Sequence, residues 1–125
     1  MKENLIYEKT FNFAIEIVKL YKYLSNQKKE FILSKQVLRS GTSIGANINE
    51  AIVAQSKKDF LSKMNIALKE AAETQYWIKL LIATNYIDRN HSKTLINECK
   101  EINRILRSIV KTIRDNIKND ERNTG

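Results

Sequence analysis

Two groups of residues have types and spacings that could do chemistry. The first is SGTSIGANINEA, residues 40–51, where Gly41 and Gly45 stand four apart among hydroxyls and amides, with Arg39, Ser43, Asn47 and Glu50 around them. Such a stretch could cradle a phosphate or carry a general acid. The phosphate reading fails because no Lys-Ser/Thr follows the second glycine and no strand pattern precedes the first. The acid–base reading needs a second acid or base within reach of Glu50, and only scattered glutamates are offered. A di-iron bundle would show Glu-x-x-His on two helices, which a single histidine, His91, cannot supply. The sequence therefore predicts no catalytic residue, no metal ligands and no cofactor.

The second group is cationic. Lys93, Lys100, Arg104, Arg107, Lys111, Arg114 and Lys118 follow one another at intervals of seven, four, three, four, three and four. At about 100° per residue they share an arc of roughly 80° on a helix. Cys99, Ile102, Leu106, Ile109, Val110, Ile113 and Ile117 take the opposite side. Such a row can be a solvated face, a match for a polyanion, or a contact with an anionic membrane surface. Glu101 and Asp115 flank it and dilute it.

Four helices must position these residues. Ile6, Phe13, Ile17, Leu20 and Leu24 make an apolar stripe on the first, which ends in polar SNQKK. The second runs from about Glu30 to Gln55, with Leu33, Val37, Ile44 and Ile48 in line and the glycines beside that line. Ser56-Lys57-Lys58-Asp59 reads as a capping box opening the third, where Phe60, Met64, Ala67, Ala71, Thr74, Ile78 and Leu81 recur at four-three spacing. That helix stops around Asn85. Asp88 or Asn90 caps the fourth, which runs to about Asn119 and leaves residues 120–125 as a disordered polar tail.

Each interior glycine costs a helix about 1 kcal/mol relative to alanine, so Gly41 and Gly45 predict a groove for close helix packing, within the chain or between subunits. Asn47 and Glu50 border that groove as polar residues that fix register. Lys69 and Glu73 are spaced to pair across one turn. Tyr76 and Trp77 cannot face the same way, so one packs and the other is left for a partner.

The chain has 125 residues, three glycines, no proline and a net charge of +8. This composition argues against a β protein with many turns and predicts a single all-α domain, residues 1–119, joined by short polar loops. Residues 28–58 hold six cations against two acids and residues 88–125 nine against six, while residues 59–87 balance at three each. Cys99, alone, predicts a buried thiol. With neither a signal-peptide core nor a membrane-length apolar run, the expected location is cytoplasmic, with no membrane partner.

"LRSGTSIGANINEA" followed by "SKKDFLSKMNIALKEAAETQYWIKLL" resembles the small bacterial four-helix bundles encoded inside 23S rRNA intervening sequences, the S23 family, whose superfamily includes the accessory variability proteins of diversity-generating retroelements. Gln36, Arg39, Ser43, Ile44, Asn47, Ile48 and Glu50 occupy the family motif. Ala51 stands where many members have glycine, and the arginine that often follows is missing. The resemblance covers residues 13–87. It implies an antiparallel up-down-up-down bundle forming a homo-oligomer, a pentamer in relatives, with no established enzymatic activity. Retroelement relatives bind nucleic acid and a reverse transcriptase. Residues and resemblance together point to a nonenzymatic oligomer binding nucleic acid, RNA before DNA, through the cationic row. The alternative is a protein-interaction scaffold whose charge only keeps it soluble.

Overall fold

The computed structural model describes residues 2–124, in four helices: α1 Lys2–Asn26, α2 Leu33–Ile52, α3 Lys57–Ala83 and α4 Lys93–Thr124. α1 packs on α2, α2 on α3, α3 on α4, and α4 closes back on α1, where the seam is loosest; no diagonal pair touches among the described residues. Cross-helix pairs run in opposite directions along each seam. Thr10 lies at Gly45 and Ile17 at Gly41, Arg39 reaches Glu73 while Lys63 reaches Glu50, and Gln75 meets Asn103 while Lys57 meets Asp120. The chain is an all-α, up-down-up-down bundle. Ile6, Phe13, Ile17, Leu24, Ile44, Ile48, Met64, Ile78, Leu81, Ile102 and Leu106 are fully buried in one core. No helix among the described residues is long and apolar enough to cross a membrane.

The helix ends differ from the sequence reading where side chains cap them. Glu30 does not start α2; it caps it. Its Oε1 accepts the Ser34 N–H at 2.7 Å and its Oε2 the Ile32 N–H at 3.2 Å. The turn before it is completed by Lys29 at φ 53. Burial pushes the Glu30 carboxyl up, but the N–H donors of Ser34, Leu33 and Ile32 outweigh that and hold it below the usual range. Ser56 caps α3 as expected, its Oγ accepting the Asp59 N–H at 3.0 Å.

α3 ends at Ala83, two residues before the expected stop. Tyr86 N–H bonds the Leu81 carbonyl and Asn85 N–H that of Ile82, with Asn85 at φ 67, a Schellman closure built on asparagine instead of glycine. α4 begins at Lys93, so neither Asp88 nor Asn90 is its immediate cap; Ser92 O accepts the first helical bond from Ile96, and Asp88 closes the preceding turn through its bond to His91 N–H. At its far end α4 runs on to Thr124 instead of stopping at Asn119, and Gly125 lies outside the described residues. Glu121 and Arg122 are good helix formers, and Lys57 and Lys58 pair with Asp120 and Glu121. The loops are not purely polar either: Phe31 and Ile32 sit exposed between α1 and α2.

The two glycines answer to α1 of the same chain. A β-carbon on Gly41 would meet Ile17 Cγ1 and Cγ2 at 2.8 Å, so that position has room for hydrogen only. At Gly45 the nearest atoms, Oγ1, C and O of Thr10, would lie at 3.4–3.5 Å, ordinary contact. The groove is therefore one tight site and one merely close one.

Candidate nucleic-acid interface

Polar motif residues of α2 find partners within the chain. Arg39 bridges to α3, donating to Glu70 Oε2 at 3.0 Å and to Glu73 Oε2, which also accepts from Trp77 Nε1 at 2.9 Å. Beneath this network Thr74 Oγ1 and Ser40 Oγ are hydrogen-bonded at 2.9 Å. Asn47 Nδ2 donates to the Ser43 carbonyl of its own helix at 2.8 Å, and Glu50 pairs with Lys63 at 3.5 Å. Arg39, Ser43, Asn47 and Glu50 thus use their polar groups within the chain. Glu73 turns to Arg39 and Trp77, so the expected Lys69–Glu73 pair does not form, because a guanidinium from the neighbouring helix and an indole N–H both compete for the same oxygen.

The cationic row is where the periodicity put it. Lys93, Lys100, Arg104, Arg107, Lys111, Arg114 and Lys118 are all exposed on α4. Because α4 continues, Arg122 follows Lys118 at a further four residues and extends the row, a residue hidden from the sequence reading by the early helix stop. Its acids are drawn off it. Lys9 of α1 holds Glu101 at 2.7 Å and, by hydrogen bond and charge, with a smaller contribution from the charge of Arg104, keeps that carboxyl below the usual range. Asp120 and Glu121 are held by α3, and only Asp115 pairs with a member of the row, Lys111, at 3.0 Å. Lys93, Lys100, Arg104, Arg107, Arg114 and Lys118 form no ion pair among the described residues.

α3 adds to this face although residues 59–87 carry no net charge. Ala71 and Gln75 turn toward α4, where Asn103 Nδ2 lies 3.2 Å from Ala71 O and 3.0 Å from Gln75 Oε1. Glu70, Glu73 and Thr74 turn the other way, toward α2. Lys69, Ala72, Tyr76 and Lys79 recur at three-four-three, all exposed, along the outer side of the helix, with Ala72 and Lys79 toward the Gln75 side and Lys69 one turn from Glu73. Glu70 and Glu73 are bonded on the α2 side, while Lys69 and Lys79 stay exposed on the outer side. With helix axes about 8–10 Å apart, the lysines add to the α4 row within about one screening length. No composition count could show this, since it depends on which neighbour each flank meets.

Elsewhere the chemistry is quiet. Cys99 is buried, its thiol pushed up to about 12 by burial, with Sγ 3.5 Å from Ala71 O. His91 is exposed and bonded to Asp88 at 2.8 Å. A cleft of about 460 Å³ in the α1–α4 seam is lined by Glu16, Tyr23, Asp88, His91 and Leu95. Among the described residues no group of three or more His, Cys, Asp or Glu could hold a metal ion.

Comparison with known proteins follows the same lines. A sequence profile described as 23S rRNA-intervening sequence protein matches residues 2–108. The chain belongs to the 23S rRNA-intervening sequence protein family. The match reaches well past the resemblance in residues 13–87, through α1 and into α4. Among solved structures, a crystal structure of a protein of unknown function from the S23 ribosomal protein family of Bacteroides thetaiotaomicron is 58% identical, with a TM-score of 0.86 over 89% of this chain and 99% of that one. No curated protein matches. Lys93, Lys100, Arg104 and Arg107 lie within the family match, and Lys111, Arg114, Lys118 and Arg122 lie beyond its last residue, 108.

Proposed function

We propose that this family member is a nonenzymatic, self-associating bundle that binds nucleic acid, RNA in preference to DNA, through the outer α3–α4 face. The observation that carries the reading is the separation of charge: exposed cations of α4 run alongside Lys69 and Lys79 of α3, while Glu70, Glu73, Glu101, Asp120 and Glu121 are each engaged by cations off the α4 row. An aligned row of cations displaces counterions from phosphate as a unit, which a scattered +8 does not. The preference for RNA rests on the rRNA setting in the family's description.

Self-association draws support from the opposite corner of the bundle. On α1, diagonal to α3, Phe11 and Ile15 are 55% and 42% exposed, and Tyr7 stacks on Phe11 with ring centroids 6.2 Å apart. A contact there leaves the α3–α4 face open in every subunit, and a pentamer would repeat it around a ring, multiplying weak contacts with one polyanion. The same apolar residues favour the second reading, a scaffold for another protein. RNA affinity measured across a salt series, with assembly mass recorded in the same buffers, separates the two. The first reading predicts a log–log slope steeper than about −3 and an oligomer; a flat slope leaves the scaffold.

A further inference from the structure

We infer that Tyr76 is a stacking platform for an unpaired base, so that the α3–α4 face takes single-stranded or looped nucleic acid in preference to continuous duplex; this rests on the nucleic-acid reading above. Of the adjacent aromatic pair, Trp77 is fixed on the α2 side, its Nε1 bonded to Glu73 Oε2 at 2.9 Å, and it meets Tyr76 edge-on, with centroids 5.1 Å apart and planes at 72°. Tyr76 is left 59% exposed. An edge-on contact with an anchored neighbour restrains a ring while leaving at least one of its faces uncovered by that neighbour, which is what a stacking surface requires.

Its place in the charge pattern completes the argument. Tyr76 falls in the exposed stripe with Lys69 and Lys79, and the nearest acid of α3, Glu73 one turn before it, is taken up by Arg39 and Trp77. The register set by Gln75–Asn103 and Lys57–Asp120 brings it level with the Lys100–Arg104 turn of α4. A strand whose phosphates follow the α4 row would therefore pass an exposed ring one helix away. Phosphate contacts with interleaved aromatic stacking are the general means of holding single strands without reading sequence. A regular duplex turns its bases inward and has nothing to offer the ring, so its binding would depend on the cations alone.

The test uses the full chain, a short RNA strand with one 2-aminopurine, and the duplex of the same sequence. Wild type is expected to bind the strand and change the probe's fluorescence. Tyr76→Ala should lose about tenfold in affinity for the strand with an unchanged salt slope and unchanged duplex affinity, while Tyr76→Phe should bind as wild type does. Circular dichroism confirms that both variants fold, as exposure of the ring implies. Equal strand binding by wild type and Tyr76→Ala, or an equal loss for strand and duplex, would overturn the stacking role while the cationic face stands. Absence of salt-dependent binding by wild type would remove both.

Discussion

Asn103 of α4 and Gln75 of α3 meet at 3.0 Å across a seam that Asn103 otherwise shares with the buried carbonyls of Ala71 and Cys99. This amide contact marks how α3 is rotated against α4, and hence which flank of α3 lies beside the cationic row. Asn103→Ala removes a buried donor and should cost about 1–2 kcal/mol, read as a lower urea midpoint. An unchanged midpoint would mean that apolar packing alone sets the rotation.

Gly41 and Gly45 should respond oppositely to alanine. At Gly41 the new methyl meets the branched carbons of Ile17, which a stiff β-branched side chain cannot easily withdraw, so a loss of about 1–3 kcal/mol is expected despite better helix propensity. At Gly45 the methyl makes ordinary contact with Thr10, and the propensity gain of up to about 1 kcal/mol should appear as equal or higher stability. Thermal unfolding of the two variants gives the comparison. Equal losses would show that the α1–α2 seam is tighter at Thr10 than its geometry indicates.

Glu30 makes the α2 cap pH-sensitive. Its carboxyl lies below the usual range when folded, so its contribution is full above the unfolded value of about 4.3 and fades as pH falls through the folded one. Glu30→Gln, which lacks the charge, should lower stability near neutral pH and narrow its difference from wild type in acid. Parallel denaturation midpoints down to pH 3 would remove this cap from the acid sensitivity.

Cys99 should be inert in the folded chain, since its thiol is buried and raised to about 12. An aromatic disulfide reagent should label it only in denaturant. Rapid labelling of the native protein would show that the Ala71–Cys99 region opens.

Features that depend on neighbours in sequence were legible beforehand. The Ser56–Asp59 cap and the α4 row follow from spacing within one or two turns, and both stand in the structure. The end of α4 was misread because residues 120–122 look like a polar tail until Lys57 and Lys58, from the start of α3, are placed beside them. Lys69 and Glu73 fit a local pair, but Arg39 arrives from another helix and takes the carboxylate. For the same reason the even charge balance of residues 59–87 gave no sign of what α3 adds: Lys69, Tyr76 and Lys79 become part of the candidate face only once Gln75 is known to face α4. Helical periodicity assigns a residue to a side of its helix, and tertiary pairing decides what that side meets.

The central claim is that the arrangement of charge on the α3–α4 face, and not its total, binds RNA. Lys100→Glu with Arg107→Glu reverses two residues of the row; Lys22→Glu with Lys35→Glu makes the same change in net charge at exposed sites on α1 and α2. The measurement is the RNA affinity of both double variants and wild type across one salt series. The account predicts that the first variant loses at least tenfold in affinity at moderate salt and has a slope shallower by about two, while the second stays close to wild type. Equal losses in the two variants would contradict it, since binding would then follow net charge alone.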